Sequence, residues 1–135
     1  MGTKFKCKKI SKGCVEGKVI ISKDALCYYL VEPESGTVVE RNHDLEGRNV
    51  AGKVLIMPSG KGSSVVQADG IYKLSQHGNS PLGMIIEHAD PVLVSSAIIF
   101  EVPMVHEVDP EFYAQIIDGD TIVLDATNGV LEIKK

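Results

Sequence analysis

Val54-Leu55-Ile56-Met57 is an unbroken apolar run closed by Pro58, the pattern of a short buried strand. Proline has no amide proton to give a ladder, so the strand ends there. Gly60 and Gly62 then allow a tight loop, and Ser63 and Ser64 are good N-cap residues. Val65, Ala68, Ile71, Tyr72 and Ser75 recur at helical spacing up to His77, with Gly78 as the stop. The pattern predicts a strand, a glycine-serine loop and a helix in succession.

Before this unit, residues 5–10 and 17–22 read as strands, with Gly13 and Gly17 marking the connection. Residues 25–31 are apolar and fit either a strand or an ordered loop. Residues 32–36 form a turn, 37–40 are short and strand-like, and 41–51 are polar with two glycines. After the unit, 82–86 is a second apolar strand, and Glu87 and Asp90 read as capping the loop that ends it. Residues 92–100 begin as a helix and end as a strand, and Met104-Val105 is a very short buried strand. Asp109-Pro110-Glu111 is a helix start: an N-cap acid, proline at the first helical position and an acid in the first turn. That helix runs to about Ile116. Thr127-Asn128-Gly129 then joins two strands, Thr121–Asp125 and 130–133, as a hairpin. The alternation predicts one α/β domain over 1–135. It has a parallel central sheet around Val54–Met57, 82–86 and Met104-Val105, flanking helices, and a second β layer from the N-terminal strands and the C-terminal hairpin.

Composition narrows the function. At 135 residues, 44% hydrophobic and 24% charged, the chain fits a single globular domain with a modest core. Tryptophan is absent, so aliphatic side chains do most of the packing. A net charge of -4 argues against a general nucleic-acid binder. The apolar runs fall far below the roughly 18–20 residues a membrane helix needs. The basic start, Met1 to Lys6, has no apolar signal core behind it, and Lys6 stands where a myristoylation site needs serine or threonine. The expectation is a cytoplasmic protein with neither membrane nor nucleic acid as partner.

Cys7, Cys14 and Cys27 are odd in number and none are two apart, which suggests neither a disulfide framework nor a zinc knuckle. Their wide spacing also disfavours an iron-sulfur cluster on this chain, and they read as buried or half-buried thiols. His43, His77, His88 and His106 are scattered and read as surface or locally hydrogen-bonded.

Three motifs compete at the glycine-serine loop. A phosphate-binding P-loop needs a glycine five residues before Gly60, where Leu55 stands. A nucleophile elbow needs Gly-x-Ser-x-Gly, which does not occur. The third is a serine at a helix N-terminus beside Lys61, with the amides of Gly62, Ser63 and Ser64 facing a small anionic substrate. By residue type alone, Ser63 or Ser64 is a helix cap and Lys61 a solvated loop charge.

Pro58-Ser59-Gly60-Lys61-Gly62-Ser63, within 51–64, resembles the small subunit of the aconitase X family. The likeness extends over nearly the whole chain. Its other marks are Gly13 and Glu16-Gly17, Glu32-Pro33-Glu34-Ser35-Gly36, the 43–47 stretch, and Ile85-Ile86-Glu87 with Ala89-Asp90-Pro91. Val102-Pro103-Met104-Val105 and Asp118-Gly119-Asp120 complete them. The resemblance implies a swivelling β/β/α domain acting in a heterodimer with a large subunit, and a [4Fe-4S] cluster carried by that partner. It implies a hydro-lyase, with Ser63 as proton acceptor; Lys61, Gly62 and Ser64 are the expected substrate-binding residues. Archaeal two-subunit members dehydrate mevalonate 5-phosphate to trans-anhydromevalonate 5-phosphate in isoprenoid biosynthesis, and bacterial members dehydrate cis-3-hydroxyproline. Leu26-Cys27-Tyr28-Tyr29 departs from the aromatic and glycine residues that relatives often carry there, so both substrates stay open. A non-catalytic swivelling binding module is the remaining alternative.

Overall fold

β1 (Thr3–Lys6) and β2 (Lys8–Ser11) are separated by Cys7 alone, yet they lie at opposite ends of the sheet. The computed structural model describes residues 3–61 and 64–134, the side chain of Ser64 excepted. Along the chain follow β3 (Cys14–Ile21), a 3-10 turn (Tyr28–Leu30), β4 (Val54–Met57), α1 (Ser64–Gln76), β5 (Gly83–Ile86) and α2 (Pro91–Ile99). Then come β6 (Met104–His106), α3 (Pro110–Gln115), β7 (Thr121–Asp125) and β8 (Val130–Lys134). The strand order is β1-β8-β7-β3-β4-β5-β6-β2.

The strand expected over 5–10 is therefore two. The Cys7 amide donates to Gly129 O at 3.0 Å, at the turn of the β7–β8 hairpin, while Lys8 pairs with His106 on the far edge. Because neighbours in sequence hold the two ends of the order, the sheet folds back on itself into two facing halves. In one half β3, β4, β5 and β6 run parallel; in the other β3, β7, β8 and β1 are antiparallel.

The side-chain period of two sorts the residues into layers. From β4, Val54 and Ile56 enter the core between the two sheet halves, while Leu55 and Met57 enter the core beneath the helices. A strand covered on both faces reads as a continuous apolar run, as this one does. In β7, Ile122 and Leu124 point inward while Thr121, Val123 and Asp125 alternate with them at half-exposed positions. The result is three layers, sheet on sheet on helices, and the expected β/β/α architecture is correct.

Parallel neighbours need crossovers. α1 carries β4 to β5 and α2 carries β5 to β6. Residues 22–53 carry β3 to β4, sending Leu26, Tyr28, Val31, Val38, Leu45 and Val50 into the same core as the helices. The 25–31 stretch is thus an ordered loop, not a strand. α2 is helical through Ile99, with no strand at its end. Asp90 accepts from the Val92 and Leu93 amides, and Pro91 occupies the first turn. α3 does not flank the sheet. Its Phe112 is fully buried between the two halves, edge-on to Phe5 at 5.5 Å between ring centroids. Cys27 is buried and Cys7 half-buried as expected, but Cys14 is exposed at the start of β3. Among the described residues, no helix is long and apolar enough to cross a membrane.

Candidate functional site

In an open parallel sheet, ligands bind in the crevice beyond the carboxyl ends of the strands. β4 leads there into Pro58-Ser59-Gly60-Lys61, and neighbours hold this segment on three sides. Pro58 O accepts from the Glu87 and His88 amides after β5, at 3.1 and 2.9 Å. Ser59 Oγ donates to His88 O at 2.9 Å, and Ser59 O accepts from the Leu26 amide at 3.3 Å. Leu26 and Gly60 form a parallel bridge. On the third side Lys61 Nζ is ion-paired with Glu40 Oε2. Beneath lie α1 and α2: a Cβ on Gly60 would stand 2.5 Å from Gln67 Oε1 and 3.2 Å from Leu93, so the loop packs closely on side chains of both helices.

α1 begins immediately after, at Ser64. Of the predicted site residues, Lys61 is described and follows Gly60 at the end of the described loop segment. Ser64 opens the helix, and Gly62 and Ser63 lie outside the described residues. α1 has thirteen residues and no acid in its first turn. The other two helices are capped by their own aspartates, Asp90 and Asp109. The positive end of α1 is thus not neutralised by an acid of its own first turn, and Lys61 adds a cation beside it.

Two supports of this loop carry no sequence signal. Glu40 lies 21 positions from Lys61 in an irregular stretch. His43, read only as surface or locally bonded, is a scaffold. It is buried, its Nδ1 accepts from the Leu45 amide at 2.9 Å, and its Nε2 lies 3.0 Å from Ala25 O. Since Nδ1 accepts, Nε2 carries the proton and donates to Ala25, fixing the strip that pairs with Ser59 and Gly60. The exposed His77 stacks no chemistry here; its Nδ1 lies 2.9 Å from Lys73 O at the end of α1.

Beside Pro58 a cavity of about 280 Å³ opens at the ends of β3 and β4, lined in part by Ser22, Lys23, Glu87 and Tyr113. Burial first, then the charges of Glu87 and Cys7, push the Tyr113 phenol up to about 12, so it stays a hydrogen-bond donor at neutral pH. A larger cavity of about 480 Å³, lined by Lys9, Lys12, Ile98 and Glu101 among others, lies at the opposite end of the strands, where Ser11 pairs with the first residue of β6. It is remote from the strand carboxyl ends and is not the candidate site.

The residues do not fit an iron-sulfur cluster. Cys7, Cys14 and Cys27 occupy a strand junction, an exposed strand start and a buried loop, and among the described residues no three His, Cys, Asp or Glu side chains stand together as ligands.

Residues 4–133 match the family model described as the aconitase X swivel domain. The chain is 38% identical to the phosphomevalonate dehydratase small subunit of Methanosarcina mazei, over 98% of this chain and 92% of that one. It is 41% identical to the protein of the same name from Methanocella arvoryzae, over 93% and 95%. Its fold is similar to the crystal structure of Thermococcus kodakaraensis aconitase X in its holo-form, with a TM-score of 0.89 and 36% identity over 99% of this chain and 100% of that one.

Proposed function

The chain belongs to the aconitase X swivel-domain family, and from that premise we propose that it is the small subunit of a dehydratase acting on mevalonate 5-phosphate. The observation that carries this reading is the near-complete mutual coverage with small subunits bearing that name. The product is trans-anhydromevalonate 5-phosphate, on the route to isoprenoids.

Dehydration of a β-hydroxy acid removes a carbon-bound proton and a hydroxyl group. This chain supplies the proton acceptor, Ser63. A serine hydroxyl in water is far too weak an acid to ionise at neutral pH. In this reading the positive end of α1 and the Lys61 ammonium lower the cost of the alkoxide left when the Ser63 hydroxyl gives its proton to solvent, and that alkoxide then takes the proton from carbon. Lys61 and the loop amides also hold the substrate's anionic group. Departure of the hydroxyl belongs to the other half of the active site, carried with a [4Fe-4S] cluster by a large subunit in a heterodimer. No step on this chain passes through that cluster. Three unbridged cysteines suit the reducing cytoplasm, where we place the complex.

The test is an anaerobic assay of the purified two-chain complex with mevalonate 5-phosphate and, separately, cis-3-hydroxyproline. The expected result is dehydration of the phosphorylated substrate that requires both chains. Turnover of hydroxyproline alone moves the chain to the other branch of the family. Assembly without turnover of either leaves the binding-module reading.

A further inference from the structure

Lys61 is not a free loop charge. Its ammonium meets Glu40, whose side chain is only 13% exposed while that of Lys61 is 46% exposed. One Glu40 oxygen takes the ion pair; the other, Oε1, is buried with no hydrogen-bond partner among the described residues. A buried carboxylate with one oxygen unsatisfied costs stability, so the arrangement is a poor stabilising device. It does fix a position. Val39, the residue before Glu40, donates its amide to Leu30 O at 2.9 Å, tying the Glu40 backbone to the 3-10 turn packed on α1. The ammonium has three donor directions, and Glu40 takes one. The Lys61 side chain is 46% exposed, and α1 begins three residues further along the chain.

We propose that Glu40 is a positioning residue that aims the Lys61 ammonium at the anionic group of the substrate. The proposal rests on the dehydratase reading and adds a residue to its site. An unpaired lysine holds its charge on four rotatable bonds and loses much rotamer freedom on binding an anion. Glu40 removes that freedom in advance. Its negative charge weakens the local field somewhat; the fixed direction outweighs this, because misplacement of a binding group by about 1 Å costs up to about a hundredfold in rate.

The experiment is a double-mutant cycle in the two-chain complex, with steady-state kinetics on mevalonate 5-phosphate for Glu40→Ala, Glu40→Gln, Lys61→Ala and the double variant. Glu40→Ala is expected to raise KM about tenfold with kcat changed less than about threefold, and Glu40→Gln, which keeps a neutral acceptor, to recover most of that loss. In the Lys61→Ala background, Glu40→Ala is expected to add nothing, a coupling that a merely structural role would not produce. A KM that stays at the wild-type value or falls in Glu40→Ala, or an equal penalty with and without Lys61, overturns the proposal. NMR order parameters at Lys61 Nζ in the isolated chain give a readout independent of turnover. The ammonium is expected to be ordered in the wild type and mobile in Glu40→Ala; a mobile wild-type ammonium overturns the pairing itself. A wild-type complex that is inactive on both substrates, with Lys61 ordered, overturns the dehydratase reading and with it the substrate role given to the pair.

Discussion

A Cβ on Gly70 would stand 2.5 Å from the carbonyl carbon of Tyr28, so the middle of α1 and the 3-10 turn touch backbone to backbone. This contact holds the 22–53 crossover against the helix that starts at the candidate site. Alanine is favoured over glycine in a helix interior by about 1 kcal/mol. At this position the added methyl meets main chain that cannot step aside. Gly70→Ala is therefore expected to destabilise the fold by about 1–3 kcal/mol net, the range for overpacking, read from the urea midpoint. A stabilised variant would mean that the turn is not docked as described.

Asp118 links three segments. Its carboxylate accepts from the Ile21 amide at 2.8 Å and from both Arg48 terminal nitrogens, at 3.3 and 2.8 Å. Burial alone would raise its pKa, but the hydrogen bonds from Arg48 and Ile21, with the charges of Arg48 and Lys53, bring it below the usual aspartate value. A carboxyl group lowered in the folded state contributes stability that is full above the unfolded value, near pH 4, and is lost as pH falls through the folded value. Asp118→Asn should thus cost stability at pH 7, and the gap to wild type should shrink as pH is lowered toward about 3. Denaturant midpoints across that range check it; a constant gap would contradict the assignment.

The three thiols should separate in a timed labelling experiment. Cys14 is exposed and is expected to react first with an aromatic disulfide reagent at pH 8. Cys7 is half-buried, and burial followed by the Asp125 charge pushes it up to about 11, which keeps it a thiol and slow to react. Cys27 is buried and should react only on unfolding. Mass spectrometry after partial labelling reads the order; Cys27 reacting as fast as Cys14 would contradict the packing of the 25–31 loop.

Much of this arrangement is legible in the sequence where the signal is local. Pro58, the glycines and Gly78, at a φ of 70°, mark the ends of β4 and α1 without tertiary information. Asp109-Pro110 reads as a helix start and is one. Asp90-Pro91 carries the same signal, yet the apolar 92–100 stretch reads partly as strand because Val92, Val94, Ile98 and Ile99 are β-branched; the cap and the burial of Leu93 and Ala97 decide for helix. Other features are set at long range and leave no local trace. The switch at Cys7 depends on which edges β1 and β2 find. Glu40 reaches Lys61, and His43 reaches Ala25, across irregular chain. At the candidate site, the position of the loop follows from its residues, whereas what fixes Lys61 does not.

The central proposal is that Ser63, the residue before α1 in the sequence, takes the substrate proton. The most direct test is the single-turnover rate of the Ser63→Ala two-chain complex on mevalonate 5-phosphate, with assembly followed by native mass spectrometry. The account predicts an intact complex whose dehydration rate falls by about a thousandfold or more. An assembled variant that dehydrates within about tenfold of the wild-type rate would contradict it.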